Sequence, residues 1–547
     1  MTGVPWDAAA AAAVGVDWLL DAIAPAGEFG RLRRAVERAF LPGDEGTARD
    51  AIALVARVSA LPAERLEAIR GALAAVPDPS AALARAAAGD VLGDVDFFEV
   101  NRFLDALAAV RVLCDDPALG ALAPAGDARL SEALAPGRTP QRGFYLADAF
   151  AGELARARTQ ANGAQAAYDA ARTKLRAEVA AALGLDYLRD GEFTVLRERL
   201  RGPLPGGVRV LREASTYLAC ELALDATALA ALAARDAAAA SVADAEESVR
   251  ARLSREAARA APALLAACDA LGELDALVAR ARFARRYACV VPRILDSAGA
   301  LAFDDARYLP LESALVERRR TYVPISLALE GCAVVTGPNM GGKTAALRTC
   351  GFVAACVALG LPVPAVAASL PLFDEIAWIG IARASAEGEG SERALLSSFG
   401  AEVIALRDCL ERAARRPLIL VDEFARTTTP REGRALLIAL LDALRARGAL
   451  ALAATHLHGI AREAGVAHYA IAGLRRSPPR AAGARDLSAA LESIAAAMDY
   501  RLRPGDEDEA ARGDALALAD ALGLDAALLA RARAELLGAG APREVNP

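Results

Sequence analysis

Lysine is almost missing from this chain: of its 63 basic residues only Lys174 and Lys343 are lysines, and arginine supplies the rest. A lysine kept against such a bias is a candidate for being held by chemistry, and Lys343 sits in a glycine-rich loop where arginine's wide planar head cannot replace a compact ammonium. The eight cysteines are scattered without a CxxC pair, which speaks against a zinc site or a disulfide framework and predicts reduced, cytoplasmic thiols. A chain-wide positive field is missing too, with a net charge of −7 and a pI near 5.4, so nucleic acid would need a local basic groove. The alanine run of Met1 to Ala24 lacks a leading basic side chain and is interrupted by Asp7 and Asp17, so neither a signal peptide nor a membrane span is expected. What the sequence has in quantity is alanine: apolar residues reach 55%, much of it this helix-favouring but weakly burying side chain. At 547 residues, three or four structural units are expected.

From Trp6 to about Ala135 apolar residues recur at helical spacing, punctuated at Leu41-Pro42-Gly43, Pro77-Asp78-Pro79 and Ala123-Pro124-Ala125-Gly126. Residues 1–147 are read as a helical core or lever. Two proline-free stretches, Phe150 to Leu183 and about Ser215 to Ala260, predict an antiparallel coiled-coil arm over 148–260. Between them, Asp190 to Leu196 and Gly206 to Leu211 alternate like short strands, so the arm is expected to carry a small β-tip. Residues 261–300 read as a helical return to the core. After Leu301, short apolar runs alternate with helical segments, the pattern of an α/β unit with a mainly parallel sheet over 301–547. The fold class is therefore multidomain α plus α/β.

The chemistry lies in that last unit. Ala333 to Thr336 reads as a buried strand running into Gly337-Pro338-Asn339-Met340-Gly341-Gly342-Lys343-Thr344, followed by a helix from Ala345 to Ala358. This is GxxxxGKT in strand-loop-helix context. Its glycines let backbone N–H groups curl around phosphates, Lys343 reaches the β- and γ-phosphates, and Thr344 offers a hydroxyl to Mg²⁺. A second apolar strand, Pro417 to Val421, ends in Asp422-Glu423, predicting a metal-shell aspartate and a glutamate that orients or deprotonates the attacking water. A third, Ala449 to Ala454, ends at Thr455-His456, where His456 can sense the γ-phosphate. ATP and Mg²⁺ are the cofactors these residues call for. His458 and His468 lack that context and are read as structural or solvated.

The stretch Thr336 to Thr344, TGPNMGGKT, resembles the phosphate loop of the MutS family, whose ATPases are related to the ABC type. Tyr322-Val323-Pro324 resembles that family's aromatic-Val-Pro element, which implies nucleotide contact for Tyr322; Leu396-Ser397-Ser398-Phe399 resembles its signature loop. Gly360 to Ala365, Ile379-Gly380, and Gly523-Leu524 within Ala515 to Leu537 extend the likeness, and Asp96 to Val100 is similar to a lever-domain motif. The resemblance implies a homodimer, or a heterodimer with a related subunit, in which Ser397 and Ser398 act in trans on the partner's γ-phosphate.

Three departures from the family bear on function. No segment matches the N-terminal wedge domain that reads mismatches, and none matches the nuclease-like C-terminal module of the branch sharing Pro430-Arg431-Glu432-Gly433. The loop after Glu423 reads Ala425-Arg426-Thr427-Thr428 where mismatch-repair members have Gly-Arg-Gly-Thr, so a backbone needing positive φ would be restricted. That loop and Met498-Asp499-Tyr500-Arg501-Leu502 resemble a small subgroup of MutS-like ATPases associated with reactivating cobalamin-dependent lysine aminomutases. The resemblance implies an aminomutase as partner; the alternative is a clamp on branched or mismatched DNA. Arg318 to Arg320, Arg475, Arg476 and Arg480 read as solvated faces, whereas Arg197, Arg199, Arg201, Arg209 and Arg212 near the arm tip are DNA candidates, diluted by Glu192, Glu198 and Glu213.

Overall fold

The computed structural model describes residues 3–36, 38–139, 143–188, 191–297, 299–338, 341–380, 398–412, 414–478, 487–505 and 515–538. It is α plus α/β. Two compact units result, residues 1–74, 113–123 and 271–547 forming one, and 75–112 with 124–270 the other. Residues 1–147, expected as one block, are thus shared between the units. The reason is visible at the N-terminus. Trp6 bridges to Ile376, and Ala10, Val14, Val16 and Leu19 are buried in the same core as Phe352 and Leu420.

In the arm-bearing unit, the helix Gly152–Ala182 runs antiparallel to the early part of Ala226–Arg286. Arg158 bonds Glu246 at 2.8 Å while, further along, the Arg235 guanidinium lies 4.8 Å from the Tyr168 ring centroid. The tip is a three-stranded antiparallel sheet of β1 (Phe193–Leu196), β2 (Val208–Glu213) and β3 (Tyr217–Leu222), in the order β1-β3-β2. The last strand falls where the sequence pattern predicts the start of the second helix. Leu218, Ala219 and Cys220 are buried at the middle of the sheet, and the helix starts only after Asp225, whose carboxylate accepts from Ala228 N at 2.7 Å. That helix is 61 residues long and contains Pro262.

Among the described residues the other unit holds two sheets. β4 (Arg293–Leu295), β5 (Ala300–Ala306), β6 (Ile325–Glu330) and β8 (Ala367–Pro371) form one, in the order β4-β8-β5-β6. The second contains β7 (Cys332–Thr336), β9 (Glu375–Gly380), β10 (Pro417–Asp422), β11 (Leu450–Ala454), β12 (Ala467–Leu474) and β13 (Met498–Pro504). Its order is β13-β12-β7-β11-β10-β9, parallel except for β12 against β13. All five residues of β7 and of β11 are buried, as central parallel strands covered on both faces must be. Their carboxyl ends are where a parallel sheet presents loops to a ligand. Among the described residues no helix is long and apolar enough to cross a membrane, and all eight cysteines are free.

Candidate nucleotide-binding site

β7 delivers the chain into the glycine loop, and the helix Lys343–Ala358 leaves it. Gly337 and Gly342 have φ of 151° and 104°, backbone that L side chains rarely adopt. At Gly337 a Cβ would also come within 2.9 Å of Ile471 Cβ. Gly342 forms the N-cap of the helix without a side-chain capping bond, so the helix N-terminus is available to an anion. Asn339 and Met340 lie outside the described residues.

Around this loop the structure gathers Lys343, Thr344 and Glu423 on a cavity of about 290 Å³, together with Pro338, Gly341, Gly342 and Ala345. The Lys343 side chain is 5% exposed, and its ammonium donates to the carbonyls of Gly337 and Pro338 at 2.9 and 3.2 Å and stands 3.5 Å from Glu423. Thr344 Oγ1 donates to the Asp422 carboxylate at 3.0 and 3.1 Å. Burial pushes the Asp422 carboxyl above its ordinary range and nearby Glu423 adds to this, against the Thr344 bond and the charges of Arg348 and Lys343. A hard divalent cation matches this pair. Hydroxyl and carboxylate oxygens are the donors Mg²⁺ takes, and its charge would offset the cost of a buried carboxylate.

Glu423 follows β10 directly, with its N–H donated to Ala454 O at 2.9 Å and its carboxylate also bonded to Arg426 at 3.1 Å. Both Glu423 and Ala425 hold positive φ, 51° and 59°. Ala425 thus holds left-handed backbone without being glycine, at a cost the surroundings must offset. The next turn closes firmly: Thr429 caps the helix Pro430–Ala446 by accepting from Glu432 N, and Thr429 Oγ1 donates to the Glu432 carboxylate at 2.7 Å.

His456 stands exposed just beyond β11. His468 instead bridges Thr336 Oγ1 and Gly505 O, each at 2.8 Å. Tyr322 sits away from the lining of the cavity: its hydroxyl accepts from Tyr308 N at 3.1 Å and lies 3.4 Å from Thr349 Oγ1, with its ring against the core. The cavity is lined there by Tyr308, Leu311 and Arg348, which no motif marked. Ser397 and Arg480 lie outside the described residues, and Ser398 opens the helix Ser398–Glu411. Met498 to Leu502 falls in β13, where Asp499 pairs with Arg475 and Arg503 at 3.2 and 3.1 Å and the Tyr500 ring lies beside Gly342.

Residues 333–475 match the family described as MutS domain V. The segment is an ATPase domain, and the chain carries it in this α/β unit. Endonuclease MutS2 of Anaeromyxobacter sp. (strain Fw109-5) is 31% identical over 533 residues, 93% of this chain and 62% of that protein. The proteins of the same name from Thermomicrobium roseum and Carboxydothermus hydrogenoformans are 33% and 31% identical over 53% and 49% of this chain, and 35% and 31% of their own lengths. The chain thus spans about three-fifths of the first relative and about a third of the other two.

Proposed function

We propose that this chain is an ATP-hydrolysing clamp of the MutS type, whose coiled-coil arm closes on branched or mismatched DNA as nucleotide turns over. The observation that carries the reading is the breadth of the likeness. Similarity to a protein named as an endonuclease, an enzyme of nucleic acid, covers 93% of the chain and so includes the arm as well as the ATPase. In this reading Mg²⁺ is held by Thr344 and Asp422, Lys343 and the loop from Gly337 to Gly342 grip the phosphates, and Glu423 handles the attacking water. The working unit is a cytoplasmic dimer, with Ser397 and Ser398 completing the partner's site. Residues 301–547 hydrolyse ATP and 148–260 embrace the duplex.

The aminomutase reading rests on two stretches, and both have local explanations. Met498 to Leu502 is a sheet-edge strand packed beside the phosphate loop, and Ala425 belongs to a turn held from within the unit. Neither points to a protein partner, and the three relatives carry another name.

The test is binding to a four-way DNA junction with ATP present, using the Glu423→Gln variant to prolong the ATP state. Affinity should fall roughly 10³-fold or more between about 50 and 200 mM salt if six or more phosphates are contacted. No junction binding, together with ATP-dependent rescue of an inactivated cobalamin-dependent aminomutase, would overturn the DNA reading.

A further inference from the structure

Glu402 is a buried carboxylic acid that no nucleotide motif uses. It lies in the helix Ser398–Glu411, is 3% exposed, and its Oε2 accepts from Ala425 N at 2.9 Å. Among the described residues its Oε1 has no hydrogen-bond partner. A buried ionised carboxylate with one bond is costly, and burial does push this carboxyl above the ordinary range, against the pull of the Ala425 N–H. Such a group is kept where its one bond holds something else in place.

What it holds is the backbone just past the catalytic carboxylate. Ala425 is buried, with φ of 59°, and Glu423 two residues earlier has φ of 51°. Neither residue is glycine, so each carries the Cβ penalty of the left-handed region. An Ala425 N–H without an acceptor would be buried and unsatisfied in this conformation. The turn would then relax towards extended backbone, and the Glu423 carboxylate would leave its position 3.5 Å from Lys343 at the cavity.

We propose that Glu402 is a positioning residue for ATP hydrolysis: by accepting from Ala425 N it locks the left-handed turn that aims Glu423 into the phosphate cavity. It acts through Glu423 and touches no nucleotide itself. A neutral carboxyl or an amide oxygen serves equally well, because the function is to accept one N–H. The inference rests on the ATPase reading of the site.

Steady-state ATPase kinetics and ATP binding are measured first on the wild-type chain, so that absence of turnover there counts against the ATPase reading itself. Glu402→Ala and Glu402→Leu, the second filling the space without an acceptor, should each lose about 100-fold in kcat, the scale of a misplacement near 1 Å. KM and ATP affinity should stay within about threefold, since Lys343 and the glycine loop are untouched. Glu402→Gln should recover most of the rate with an unaltered pH profile. Adding Ala425→Gly to Glu402→Ala should restore about fivefold or more by removing the Cβ penalty. A folded Glu402→Leu protein at wild-type kcat would overturn the proposal. So would a defect that Glu402→Gln shares in full, or a loss of rate that merely follows a loss of ATP affinity.

Discussion

The phosphate cavity and the arm tip both gather charged side chains, and they are built on opposite terms. At the cavity the two groups that face each other across it, Lys343 and Glu423, are largely withdrawn from water and have defined partners. Lys343 is 5% exposed, Glu423 carries bonds to two cations, and the backbone beside it is strained. At the tip, Arg197 pairs with Glu213 at 2.7 Å, Arg212 with Glu192 at 3.3 Å, and Arg209 with Glu221, all as surface side chains. Exposed pairs of this kind contribute about 0–1 kcal/mol each. The cavity is a preorganised device in which one atom matters. The tip is a field whose strength depends on how many arginines can exchange a glutamate for a phosphate.

The sharpest way to break that comparison is at the cavity. Glu423→Gln should bind ATP but hydrolyse it at least about 10³-fold more slowly, within the range expected for loss of a general base. Lys343→Ala should lose ATP binding itself, as read by a fluorescent nucleotide. Equal effects of the two changes on binding would dissolve the division of labour between them. If Ser397 and Ser398 complete the partner's site, as proposed, sedimentation of Glu423→Gln with ATP should show a dimer that weakens without it. A monomer in both conditions would remove the composite site.

The cavity is also the more legible region. Its strand, loop and helix follow from four apolar residues, three glycines and a helix start within about 25 positions, and the structure places β7, β10 and β11 where alternation with helices requires them. Tyr322 stands behind the lining, with its hydroxyl on the Tyr308 backbone, because an aromatic beside a motif says nothing about which way the chain turns before the next strand. Glu402 is illegible for a similar reason. Its meaning lies in a bond to Ala425, 23 residues away in sequence, and in a φ that no alanine announces. The arm tip hides β3 because Tyr217 to Leu222 joins a long alanine-rich helix without a glycine or proline between them. Only Asp225, as a cap, marks the change.

Packing behind the cavity gives a smaller effect. A Cβ at Gly351 would approach Val14 Cγ1 to 2.4 Å and Leu420 Cδ1 to 2.8 Å, so this helix touches its neighbours through a glycine. Gly351→Ala should destabilise the unit by about 1–3 kcal/mol. Trp6, Trp18 and Trp378, the chain's three tryptophans, all belong to it, so their fluorescence in a denaturant titration reports this unit alone. Smaller still is Ala425→Gly, which removes the Cβ from a left-handed position but adds freedom to the unfolded chain. A net gain of about 0.5 kcal/mol is expected in the same titration. A loss would mean that the Ala425 methyl group packs to more effect than its φ costs.

The smallest stability change belongs to the tip, and there it separates the field from the fold. Arg209 stands on β2 opposite Glu221 of β3, both partly in water, so Arg209→Ala should lower stability by no more than about 1 kcal/mol. If the tip tracks phosphates, the same change removes one released counterion, and the slope of log affinity against log salt should flatten by about 0.9. Glu221→Gln works in the opposite sense. It frees Arg209 from its competitor, so junction affinity at low salt should rise while the folded state scarcely changes. Measured together on one junction, the two substitutions must move affinity in opposite directions. If both leave affinity and slope where they were, the tip arginines serve only the β-sheet, and the DNA contacts of the clamp lie elsewhere on the chain.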